Sequence, residues 1–166
     1  MDETAEKVAQ AARQRAAVYA HLYRTLSGRL GSREAAGLMG EAVRAWGKEK
    51  AGKEFSAEAL AGDLSAAAAE FASPEPVKQA LFAPRVVSEG EGEVRIAMSR
   101  CPLVDEWREE GLSTDDVAAL CRIAREVDHG AWEGALGFDL RFEGTRGDGM
   151  PECVLRVTKR EGGSAA

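Results

Sequence analysis

Arg95-Ile96-Ala97-Met98-Ser99-Arg100-Cys101-Pro102-Leu103-Val104-Asp105-Glu106-Trp107 changes hydrophobic period in mid-course, and the fold is read from that change. Val94, Ile96 and Met98 alternate with Arg95, Ala97 and Ser99, the period-2 pattern of a half-buried strand. Pro102 is suited to the first position of a helix, where no amide donor is needed. Leu103, Val104 and Trp107 then recur at helical spacing. Cys101 thus stands where a strand feeds a helix N-terminus. A helix dipole there favours the thiolate and lowers a thiol pKa, which makes Cys101 the candidate reactive centre.

Downstream, Gly111 ends this helix as a C-cap. Ser113 with Asp116 resembles a capping box for a helix carrying Val117, Leu120, Ile123 and Ala124, closed by Asp128-His129-Gly130. Phe138, Leu140 and Phe142 alternate with charged residues as a strand. Arg146 to Pro151 reads as a turn. Cys153, Leu155 and Val157 form the inward face of a last strand, and residues from Gly162 on form a frayed tail.

Upstream, Glu3 to about Leu30 predicts a long amphipathic helix whose apolar side runs through Val8, Ala12, Arg15, Tyr19, Leu22, Tyr23 and Leu26. Ser32 is the expected cap of a second helix to about Lys50, with Ala36, Met39, Val43 and Trp46 inward and Gly47 and Gly52 loosening its end. Ser56 caps a third, through Leu60, Leu64 and Phe71, and Ser73-Pro74 restarts a short turn or helix to Phe82. Pro84 to Cys101 then reads as a β-hairpin with a Ser-Glu-Gly-Glu-Gly turn. The order of helices, hairpin, helices, hairpin predicts an α+β fold: N-terminal helices packed on a small antiparallel sheet. One domain over 1–162 and a flexible tail over 163–166 are expected.

The net charge of −6 and the lack of a basic stripe argue against nucleic acid as a partner. No apolar run reaches membrane-spanning length, and the acidic start is unlike a signal peptide, so no membrane partner is expected. Three widely spaced cysteines make a poor disulfide framework and fit reduced thiols in a cytoplasm. Three thiols with His129 suit zinc by ligand type, but no Cys-x-x-Cys or His-x-x-x-His spacing pairs them. Neither a metal nor a cofactor is expected.

Arg100-Cys101-Pro102, Cys121 with Asp128, Gly147-Asp148 with Cys153, and Arg44, Trp46 and Gly47 in the helical region form a pattern over most of the chain. In this it resembles the L-2-amino-thiazoline-4-carboxylic acid hydrolase family. The resemblance implies ring-opening hydrolysis of a C–N bond in a small amidine or thiazoline-type heterocycle. The terminal Gly-Asp…Cys hairpin is also similar to 4-vinyl reductase-type small-molecule-binding domains, which implies a non-catalytic sensor-type module that binds a small molecule or a metal as the alternative.

Cys101 as nucleophile, Asp128 as the group that holds the amidine nitrogen or orients a base, and His129 as a proton shuttle form the expected catalytic set. Each has a plainer reading. A cysteine packs well under a helix, and a histidine at a helix end is favoured by the dipole alone. Cys121 is in phase with core positions, and Cys153 converges on the same interior through the sheet. Trp107 and Trp132 are candidate pocket walls, although tryptophans at such spacing commonly serve the core. These four are the expected substrate-binding residues. His21 beside Tyr19 and Tyr23 reads as packing, and Asp148 as a turn residue. The expected partner is a small-molecule substrate, and the long first helix is a candidate for pairing with a second copy.

Overall fold

A computed structural model describes residues 3–160; the expected tail lies outside the described residues. Helix α1 spans Glu3–Leu30 and α2 Ser32–Glu54. Gly31, at φ 85°, turns the chain between them and occupies the cap position expected for Ser32. The buried stripe of α1 is Ala5, Ala9, Ala12, Ala16 and Ala20, whereas Val8 and Leu22 are 37% and 47% exposed. The expected apolar face is therefore rotated, because small side chains let another element approach the helix backbone. Trp107, fully buried, uses that approach: its Nε1 donates to the Ala16 carbonyl at 2.8 Å. In α2 the inward residues include Met39, Gly40, Gly47 and Ala51, while Trp46 is 43% exposed. Gly47 does not loosen the helix end, since α2 continues to Glu54.

Ser56 caps a single turn, α3 (Ala57–Leu60). Gly62, at φ 98°, then breaks the expected continuous helix, and Asp63 caps α4 (Leu64–Phe71). Glu75 caps α5 (Pro76–Leu81). Strands β1 (Pro84–Gly90) and β2 (Glu93–Met98) form the expected hairpin, with Glu91-Gly92 as its turn. Helix α6 spans Pro102–Glu109 and α7 Thr114–Ala124, the latter capped by Ser113. Asp128-His129-Gly130 does not end the helical run as expected. A short α8 (Glu126–His129) passes into a π-helical turn, Gly130–Ala135. Strand β3 (Asp139–Gly144), a 3₁₀ turn (Arg146–Asp148) and β4 (Cys153–Thr158) follow.

The fold is α+β, with an antiparallel sheet of order β1-β2-β4-β3. Pairing of Val94 with Val157, Ile96 with Leu155 and Met98 with Cys153 aligns the inward residues of β2 and β4. The first two pairs bury fully against α3, α4, Trp132 and Phe138. A second core joins α1, α6 and α7 around Trp107 and Leu120. At its other face the sheet carries ion pairs such as Arg85–Glu152 at 2.7 Å and Arg95–Glu143 at 3.1 Å, which contribute little in water. Among the described residues no helix is long and apolar enough to cross a membrane.

Candidate functional site

Where the Met98–Cys153 end of the sheet meets the helices, the two cores do not close. A cavity of about 470 Å³ remains, large enough for a small-molecule ligand. Apolar side chains such as Trp46, Phe55, Leu103 and Phe142 make most of its wall. Cys101, Cys121, Asp128, Cys153 and Trp107 line it together. His129 and Trp132 are not among its lining residues.

Cys101 occupies the N-cap of α6, in extended backbone at φ −157°, as the Cys-Pro step demands. The amides of Leu103 and Val104 lie near its sulfur and favour the thiolate, without closing a cap hydrogen bond. Burial wins nevertheless. Enclosure in the apolar wall pushes the thiol up to about 12, and the nearby Cys153 and Cys121 thiols add to this. The lowered pKa expected from the helix start is therefore overturned. Cys101 is half-buried and lines the cavity.

The 3₁₀ turn holds all three cysteine segments. Arg146 donates from its guanidinium to the Ser99 carbonyl at 2.9 Å, to the Pro151 carbonyl at 3.2 Å and to Asp105 at 2.7 Å, so it clamps the chain on both sides of Cys101. Its backbone N–H donates to Cys153 Sγ at 3.3 Å. Gly147 presses on Cys121: a Cβ there would lie 2.2 Å from the Cys121 Cβ and 2.5 Å from its sulfur. Cys121 Sγ also donates to Thr145 Oγ1 at 3.7 Å, and Thr145 Oγ1 to Asp148 at 2.6 Å. Cys121 and Asp148 thus have complete structural explanations. Arg146→Ala leaves Asp105 and the Ser99 carbonyl without their donor. Its expected cost is about 2 kcal/mol, with faster amide exchange in the first turn of α6; unchanged exchange there counts against the clamp.

Asp128 reaches the cavity through a close helix crossing. A Cβ on Gly47 of α2 would lie 2.2 Å from the Val127 carbonyl oxygen, and one on Gly130 2.0 Å from that of Arg44. The backbones of α2 and α8 therefore touch, and Asp128 is carried between them to the wall. No hydrogen bond from the described residues meets its carboxyl. Burial raises it to about 7, against a smaller opposing pull from Lys50. Burial likewise raises Cys153, and the charge on Asp128 contributes to that rise, so the two share one electrostatic neighbourhood.

His129, one residue on, points away from this wall. Its ring packs on Phe142 at 5.7 Å between centroids, and Nδ1 lies 3.2 Å from Glu133. Burial pushes the Glu133 carboxyl up, but His129 and Arg44 outweigh it and hold it below the usual range. Trp132 is fully buried among Phe55, Phe71 and Phe138. Both residues support the wall from behind. Among the described residues no group of three His, Cys, Asp or Glu side chains is placed to hold a metal. Sequence reasoning missed Arg146, whose importance follows only from the sheet bringing its turn beside Cys101. It also missed Gly130 as a contact glycine, although its helical flanks carried a signal.

The model of the L-2-amino-thiazoline-4-carboxylic acid hydrolase family matches residues 11–157. No curated protein matches the chain. A crystal structure of trafficking protein particle complex subunit 3 from Naegleria fowleri, covalently bound to palmitic acid, is similar in fold. Its TM-score is 0.60 at 15% identity, covering 91% of this chain and 96% of that one.

Proposed function

This chain belongs to the L-2-amino-thiazoline-4-carboxylic acid hydrolase family, and on that premise we propose that its cavity is a reaction chamber for opening a small amidine or thiazoline-type ring. The observation that carries this reading is that Cys101 and an Asp128 carboxyl without a hydrogen bond line the same cavity. As Cys101 Sγ attacks the amidine carbon, the Asp128 carboxylate takes the thiol proton and passes it to the departing nitrogen as the ring C–N bond breaks. Water then adds to the same carbon, giving its proton to Asp128, and expels the Cys101 thiolate, which recovers that proton from Asp128. Burial holds the Cys101 thiol protonated at neutral pH, which weakens it as a nucleophile. A cationic amidinium beside it favours both the thiolate and the Asp128 carboxylate, so the substrate itself activates the nucleophile.

The test is hydrolysis of 2-amino-thiazoline-4-carboxylic acid by the purified protein. Turnover is expected in the natural sequence, lost in Cys101→Ser and lowered about a hundredfold in Asp128→Asn. Full turnover by Cys101→Ser contradicts the mechanism. His129→Gln, behind the wall, is expected to keep most of the rate.

A second reading is favoured by the apolar lining and by the palmitic acid held covalently by the structural neighbour. In it Cys101 takes an acyl group from an activated acyl thioester, whose own thiol leaves with the Cys101 proton, and the cavity then holds the chain without further chemistry. A fatty-acyl mass increment on the purified protein, removed by hydroxylamine, together with absent turnover, selects this reading over hydrolysis.

A further inference from the structure

We infer that Arg15 is the anion-recognition residue of the cavity, binding a carboxylate on the ligand at a point apart from Asp128. This deepens the reading of the cavity as a ligand chamber and rests on it. Arg15 lies on α1 between the buried Ala12 and Ala16, and its side chain lines the cavity. Its Nε is closed off from solvent and has no hydrogen-bond partner. Among the described residues it makes no ion pair.

The other cations of the wall are satisfied. Lys50 pairs with Glu54, Lys78 donates to the Glu70 carbonyl at 2.9 Å, Arg100 donates to the Ala80 carbonyl at 3.2 Å, and Arg125 lies over the Phe142 ring. The acids divide in the same way. Glu54 has Lys50, and Glu75 accepts from the amides of Val77 and Lys78, which leaves Asp128 alone. A guanidinium with an unpartnered Nε and a carboxyl without a hydrogen bond therefore line the same cavity. They do not neutralise each other: the charge felt at Asp128 is that of Lys50, and the charge of Arg15 is felt at Tyr19.

A buried donor without an acceptor is costly, and a ligand that supplies the acceptor is favoured by the same amount. The fork of a guanidinium matches a carboxylate through two parallel hydrogen bonds. The ligand class that completes both groups has a carboxylate at one end and a hydrogen-bonding nitrogen or hydroxyl group, or a second polar head, at the other. Such a carboxylate can belong to a small heterocyclic acid or to a fatty acid.

Calorimetry with matched acid and amide pairs tests the assignment. One pair is 2-amino-thiazoline-4-carboxylic acid and its carboxamide, and the other is decanoate and decanamide, all bound to the Cys101→Ser protein to prevent turnover. For whichever scaffold binds, the acid is expected to bind about tenfold or more tightly than the amide. Adding Arg15→Met should bring that ratio to about one while leaving the amide affinity unchanged, and Arg15→Lys should restore part of it. A ratio that persists in Arg15→Met, equal binding of acid and amide, or no binding of any of the four probes overturns the assignment. The two claims fail separately. Arg15-dependent preference without hydrolysis counts against the catalytic reading alone, and hydrolysis unaffected by Arg15→Met counts against Arg15 alone.

Discussion

Gly130→Ala is expected to destabilise the protein by more than about 3 kcal/mol, lowering its melting temperature by roughly 6–12 °C. The added methyl would sit 2.0 Å from the Arg44 carbonyl oxygen and 2.8 Å from the Lys48 amide nitrogen. Both are backbone atoms of α2, so no rotamer change relieves the overlap and the helices must part. Gly47→Ala meets the Val127 backbone in the same way, at 2.2 Å. The control lies in the same helix. A methyl added at Gly52 would meet nothing within 4 Å, and Gly52→Ala should raise stability by about 0.5–1 kcal/mol through helix propensity. Equal melting temperatures for Gly130→Ala and the natural sequence would mean that the two backbones do not touch, and the placement of Asp128 would lose its support.

Asp128→Asn is expected to remove a large pH dependence of stability. The carboxyl is raised from an ordinary value of 3.8 to about 7 in the folded protein. The folded state therefore holds this proton more tightly than the unfolded chain. Its contribution is greatest below the ordinary carboxyl pKa and is lost as pH rises towards about 7, a span of order 4 kcal/mol. Glu49, Glu70, Glu93, Glu133 and Glu152 are lowered by hydrogen bonds and cationic partners, against burial, and act with the opposite sign at lower pH. Between about pH 5 and 8 they are already ionised, and the difference in slope between the natural sequence and Asp128→Asn across that window reports Asp128. Stability should fall through the window in the natural sequence and stay nearly level in Asp128→Asn, which becomes the more stable protein above about pH 7. An unchanged slope in the variant would place the carboxyl in water and not in the wall.

Much of the fold was legible because short-range rules decided it. Alternation gave β2, β3 and β4, Ser56 and Ser113 capped helices as their chemistry predicts, and Cys101-Pro102 marked the step from β2 into α6. The inward face of α1 was misread because hydrophobic size was weighed above closeness. The helix buries alanines so that Trp107 can reach its backbone, and it leaves Val8 and Leu22 partly outside. The helical run past Gly130 was missed because its glycines read as breakers, whereas Gly130 serves contact with α2. Of the site, Cys101, Asp128, Cys153, Cys121 and Trp107 share a wall, while His129 and Trp132 stand behind it. Adjacent helical residues diverge in direction, so Asp128 and His129 could not both face one cavity side. Arg146 and Arg15 were hidden because their roles depend on contacts between segments far apart in the chain.

The central claim is that Cys101 is the thiol that bonds to ligand carbon inside the cavity. Site-resolved mass spectrometry after treatment with 2-chloroacetamidine at neutral pH tests it most directly, because this small amidinium alkylates thiols and matches the group assigned to Asp128. The expected result is modification at Cys101, slowed in Asp128→Asn and absent from Cys101→Ser, with Cys121 and Cys153 untouched in the folded protein. Modification of Cys121 or Cys153 in preference to Cys101, or labelling of all three only after denaturation, would contradict the account.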